Sequence, residues 1–141
     1  MNYIIIMLSG IGLYISAYFT LVYYGVIKPS TSLVPSFCRM EDQTCFTVIQ
    51  TPYARVFQSP NFVLGIIYYA ALVGLVSSGW LTVIPYLAEA VSVIAWGTVA
   101  LGIYLTYALL YRVKVPCPLC YISHLINLAL AILITASAFG N

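Results

Sequence analysis

Four stretches of this chain run without a charged side chain for the length of a bilayer crossing, and that constrains the fold more than any other feature. A hydrocarbon core of about 30 Å needs roughly 20 apolar residues per helix. Tyr3 to Ile27 supplies the first run; no charge interrupts the chain between Arg55 and Glu89, between Ala90 and Tyr111, or after Lys114. Pro60-Asn61 and Ser78-Gly79 bracket a second helix inside the second run, and a tight turn around Trp80 to Pro85 is expected to reverse the chain into the third. With 63% of 141 residues apolar and 6% charged, the chain reads as an integral membrane protein. The expected fold class is all-α: a four-helix membrane bundle, one domain over residues 1–141. Its helices fall near 3–27, 61–79, 86–111 and 117–138. The first run lacks a basic leader and a small-residue cleavage site, so it counts as a retained helix. Many of the 13 tyrosines, among them Tyr23, Tyr24, Tyr53, Tyr86, Tyr107, Tyr111 and Tyr121, fall near helix ends, where amphipathic rings meet the headgroups. No nucleic-acid motif occurs, and a net charge of +2 implies no polyanionic partner.

The one extended polar segment joins the first two helices, Lys28 to Pro60, and carries five of the eight charged residues together with Cys38 and Cys45. A loop this long in a small protein is usually functional. Its stretch Cys45-Phe46-Thr47-Val48-Ile49-Gln50 is too apolar for water and is expected to lie on the membrane surface as a short helix ending before Pro52. Helix parity brings the remaining thiols to the same side. The second and third helices return the chain there, so Cys117 opens the fourth helix on the face that holds Cys38 and Cys45.

Cys117-Pro118-Leu119-Cys120 has the spacing that redox chemistry needs. Residues i and i+3 share a helix face closely enough for a disulfide. Pro118 suits a first turn, where no intrahelical amide is required. The orphan amides and dipole of a helix start favour a thiolate, the nucleophile in disulfide exchange. Because the pair opens a membrane helix, its electrons are expected to pass to a partner dissolved in lipid.

The same face continues inward to His124 and Asn127. His124, about 6 Å below Cys120 by helical rise, is an ionisable ring at a depth where such groups need a partner or a function. It either donates to a carbonyl oxygen of a ligand or makes an interhelical hydrogen bond. Asn127 reads as helix–helix glue. Asn61 is either a helix N-cap or an amide that binds a ring oxygen of a quinone. For Cys38 and Cys45 three readings stand: a structural disulfide, a zinc site with all four thiols, whose spacing fits poorly, or a mobile shuttle pair.

Taken together, the loop cysteine pair, the hydroxyl residue six positions after its second member (Thr51), Asn-x-x-x-Gly at the second helix (Asn61, Gly65) and Cys-x-x-Cys at the fourth resemble the vitamin K epoxide reductase family, including prokaryotic members that drive disulfide formation. The match covers nearly the whole chain. The resemblance implies a thiol–quinone oxidoreductase, an enzyme that makes disulfides. A reduced thioredoxin-like protein (DsbA- or PDI-like) would exchange with Cys38, Cys45 would pass electrons to Cys117, and Cys120 would face the quinone. Asn61 would hold a quinone oxygen, Thr51 would help the loop cap the pocket, and His124 and Tyr69 complete the expected quinone contacts. A menaquinone or ubiquinone is the expected acceptor, no resident metal is implied, and the protein is expected as a monomer in lipid with a separate redox partner. Two positions depart from animal members, which carry tyrosine where this chain has His124 and space the loop cysteines one residue further apart. The alternatives are a DsbB-type enzyme, which places its Cys-x-x-Cys in the first long loop, and a non-catalytic membrane subunit or metal-binding scaffold.

Orientation is contested. Prokaryotic members of the family it resembles usually place these cysteines outside the cytoplasm, where disulfides persist. Yet Lys28, Arg39, Arg55, Arg112 and Lys114 all belong to the cysteine side and no Lys or Arg to the other, which favours a cytosolic face. That arrangement suits a cell whose internal proteins are disulfide-rich, as in hyperthermophilic archaea.

Overall fold

A computed structural model describes residues 2–24, 26, 55–56, 59–108, 110–111 and 118–140. Among them are four long helices: α1 (Asn2–Tyr23), α2 (Asn61–Ser77), α4 (Pro85–Ala108) and α5 (Pro118–Phe139). One helical turn, α3 (Trp80–Val83), separates α2 from α4. A two-residue antiparallel pair, β1 (Arg55–Val56) with β2 (Ser59–Pro60), leads directly into α2. The surface helix expected at Cys45 to Gln50 lies outside the described residues.

Among the described residues, three helical segments are long and apolar enough to cross a membrane: Asn2–Leu21, Pro85–Ala108 and Cys120–Phe139. Most of their apolar side chains face outward, with Val93, Ile103 and Leu125 each about two-thirds exposed or more. So broad an apolar surface is untenable in water and ordinary in lipid, where the helix satisfies its own backbone. α2 is the short member. Its 17 residues rise about 26 Å, at the lower limit for a crossing.

Helix ends depart from expectation where local chemistry overrides hydropathy. α1 stops at Tyr23 rather than Ile27. The Val26 amide reaches back to the carbonyl of Leu21 at 2.9 Å, a closing bond typical of helix C-termini. α2 ends at Ser77, two residues early, because Gly79 takes φ +75°, a conformation open to glycine at little cost. The expected tight turn instead holds α3, where the Thr82 hydroxyl donates to the Gly79 carbonyl at 2.7 Å. Pro85 then starts α4 at a position that needs no amide.

α1 packs along α2, α4 along α5, and α1 also touches α5, which joins the two pairs. The core runs between them through Ile5, Ile15, Phe19, Phe62, Leu72, Leu130 and Ile134. In the half nearest the N-terminus of α1, Trp96 donates to Thr135 Oγ1 at 2.8 Å, and Ser92 Oγ lies 2.8 Å from the same oxygen. The Thr135 hydroxyl donates to the Ala131 carbonyl at 2.7 Å. Its single hydrogen is thereby committed, so Ser92 is the donor in their contact.

Asn2, Val76, Gly79, Pro85 and Ser137 gather around one cavity of about 210 Å³. Five helix ends therefore meet at one pole. The other pole holds the end of α1, the start of α2, the end of α4 and the start of α5.

Candidate active site

That second pole carries the candidate chemistry. Cys120 stands in the first turn of α5, half-buried against the core, with a free thiol. Pro118 is the first residue of the helix, as its missing amide permits. Across the pole, α2 is seated by aromatic rings. Phe62 is buried with its ring 6.0 Å from Phe19 and 5.3 Å from Tyr23 of α1. This contact fixes the start of α2, and Asn61 is its first residue. Cys38, Cys45, Thr51 and Cys117 lie outside the described residues.

Gly65, the glycine of the Asn-x-x-x-Gly pattern, has a local reason. A Cβ there would come within 2.6 Å of Ser16 Oγ on α1, so the two backbones approach at this point as small residues allow. One turn deeper, Tyr69 is almost fully buried. Its ring fills a notch at Gly12, where an added Cβ would lie 2.5 Å from Cζ. The Tyr69 hydroxyl donates to Asn127 Oδ1 at 2.6 Å, with Ser123 alongside. Tyr69 therefore links three helices, and its hydroxyl is engaged by protein. Asn127 is the interhelical tie that its position on the helix anticipates.

His124 lies one turn inward of Cys120. Residues four apart share a helix face, so the two side chains leave α5 on the same side. The Nδ1 atom is buried and makes no hydrogen bond. It faces Gly102 of α4, where a Cβ would stand 3.0 Å from Nδ1 and 3.4 Å from Cγ. A buried nitrogen left without a partner costs about 1–3 kcal/mol, unless something outside the protein completes it. Tyr68, beside Tyr69 with ring centroids 5.2 Å apart, presents a second buried hydroxyl without a well-formed bond, near Thr98.

Of the residues the sequence singles out, the structure gathers Cys120, His124 and Tyr69 on or against the first turns of α5, with the start of α2 at the same pole. Gly12 and Gly102 were not anticipated. The available signal is weak: glycine inside a helix costs about 1 kcal/mol relative to alanine, which hints at a close neighbour without naming it.

The chain matches the family model described as vitamin K epoxide reductase family over residues 3–135. No curated protein matches it, and no solved structure does.

Proposed function

The chain belongs to the vitamin K epoxide reductase family, and from that premise we propose that it is a membrane thiol–quinone oxidoreductase that makes disulfides. One observation carries the reading. A half-buried free thiol, Cys120, opens a membrane helix, and a turn inside it the His124 ring holds a buried nitrogen with no protein partner. A quinone suits these residues, because a ring oxygen would accept from the imidazole N–H of His124 and its body suits the apolar surroundings.

When bound, the quinone accepts two electrons and two protons. Cys38 takes electrons from a separate thioredoxin-like protein and Cys45 relays them to Cys117. Joining Cys117 to Cys120 then releases them beside the quinone. The roles of the loop pair and of Thr51 rest on the sequence pattern alone. Asn61, first residue of α2, holds a ring oxygen. Tyr69 shapes the floor of the site by fixing Asn127 and with it the register of α5. α2 serves as the fourth crossing, and the cysteine pole faces the cytosol, because every Lys and Arg belongs to that side of the sequence. The acceptor is a menaquinone or ubiquinone.

The test mixes purified protein with a short-chain ubiquinone and a reduced thioredoxin-like protein and follows quinone absorbance. Wild type is expected to consume quinone, and Cys120→Ala is expected to lose this fully while keeping its helical signal. Turnover that survives in Cys120→Ala, or wild type that reduces no quinone, overturns the assignment.

A further inference from the structure

We propose that His124 is a catalytic proton carrier between the Cys120 thiol and the quinone, and that Gly102 of α4 is the positioning residue that seats its ring. This rests on the quinone-linked reading above and deepens it.

The geometry supplies three linked facts. Nδ1 of His124 is buried and unbonded. The ring lies against Gly102, whose missing side chain leaves it room; a Cβ there would sit 3.0, 3.4 and 3.6 Å from Nδ1, Cγ and Cβ of the histidine. Gly102 is itself buried, and its carbonyl accepts the Thr106 hydroxyl at 2.7 Å, so that oxygen already has a partner. A residue kept only for packing at this depth would need no nitrogen. A residue kept only to contact a ring oxygen would need a donor but no second exchangeable site. Imidazole has both, one nitrogen able to take a proton while the other gives one.

The step balances. As the sulfurs of Cys117 and Cys120 join, two S–H bonds break, one S–S bond forms, and two electrons pass to the quinone, which gains two O–H bonds. His124 receives the proton of Cys120 and delivers one to the nearer ring oxygen. The proton of Cys117 leaves to water, and water supplies the second oxygen. The imidazole ends in the protonation state in which it began. No oxidant beyond the quinone is needed.

The experiment uses the full chain in nanodiscs and ubiquinone with one isoprene unit as the probe. The sequence contains a single histidine, so ring-¹⁵N labelling yields a spectrum of His124 alone. Adding the quinone, or its quinol, is expected to shift the Nδ1 resonance. In single turnover from the reduced protein, His124→Gln keeps a hydrogen-bonding amide but cannot carry a proton. It is expected to bind quinone as wild type does and to transfer electrons about 100-fold more slowly, with partial recovery on adding imidazole to His124→Ala. Gly102→Ala crowds the ring by a few tenths of an ångström and is expected to fold at least as well, since alanine favours a helix. It should slow transfer about 10-fold and change the Nδ1 shift. If His124→Gln transfers at the wild-type rate, or is slowed only through weaker quinone binding, the proton role is wrong while the oxidoreductase reading stands. An Nδ1 resonance that ignores the quinone, in protein that still reduces it, likewise removes the role. Wild type that reduces no quinone defeats the underlying reading instead.

Discussion

The Tyr69 hydroxyl and the Asn127 side-chain oxygen are 2.6 Å apart, across two helices whose backbones come close at few other points. The bond holds α2 to α5 at the depth where the candidate site ends. Tyr69→Phe keeps the ring in the Gly12 notch and removes the hydroxyl's contacts with Asn127 and Ser123. Interhelical hydrogen bonds in lipid average about 0.6 kcal/mol and reach about 1.7. The variant is therefore expected to lose roughly 1 kcal/mol in unfolding from mixed micelles, with quinone affinity little changed. Undiminished stability together with weakened quinone binding would transfer the hydroxyl from the scaffold to the ligand.

Gly12 meets the same ring from the other side. A Cβ there would approach Cζ, Cε1 and Cε2 of Tyr69 at 2.5, 2.6 and 2.9 Å, and a flat ring offers no flexible end to yield. Gly12→Ala is expected to part α1 from α2 and to cost about 1–3 kcal/mol, the range for overpacking. Gly10, two residues earlier, has nothing within 4 Å. Gly10→Ala is expected to be neutral or slightly stabilising, and equal losses from both glycines would deny the notch its role.

These two contacts mark where the sequence stops being legible. The four apolar runs, the Cys-x-x-Cys at Pro118 and the inward line to His124 and Asn127 are readable because charge, proline and helical spacing are local signals. The pairings Gly12–Tyr69, Gly65–Ser16 and Gly102–His124 are not. Membrane helices are apolar toward lipid and toward each other, so no polar stripe declares which face of α1 meets α2. The same masking hides from the sequence that the Tyr69 hydroxyl donates to Asn127. Hydropathy also overran the end of α1, since Tyr24 and Val26 are as lipid-compatible as the helix before them.

Thr135 tests whether the two poles act independently. Its hydroxyl accepts from Trp96 and Ser92 and donates to Ala131, and it lies about 22 Å along α5 from Cys120 by helical rise. Thr135→Val removes the hub with little change of shape. The expected cost is about 1–2 kcal/mol, and in a Trp80→Phe background the fluorescence of Trp96, the remaining tryptophan, should shift. Single-turnover electron transfer should match wild type. A slowed transfer at unchanged stability would mean that the distal half of α5 governs the site.

Orientation is the prediction with the widest consequence. The structure puts Glu89 of α4 near the pole of Asn2 and Pro85, exposed, while helix parity along the sequence assigns every Lys and Arg to the opposite side. Positive charge near short loops holds them in the cytoplasm, while acidic residues contribute little. A membrane-impermeant maleimide applied to intact cells is therefore expected to leave all four cysteines unmodified, and to modify them once the membrane is opened. Cysteines introduced at Val83 and Tyr86, both largely exposed at the other pole, should show the reverse. Labelling of the native thiols from outside would turn the protein over in the membrane and make its clients extracytoplasmic; it would leave the sulfur-to-quinone chemistry at Cys120 untouched, because that depends on the pole and not on which compartment the pole faces.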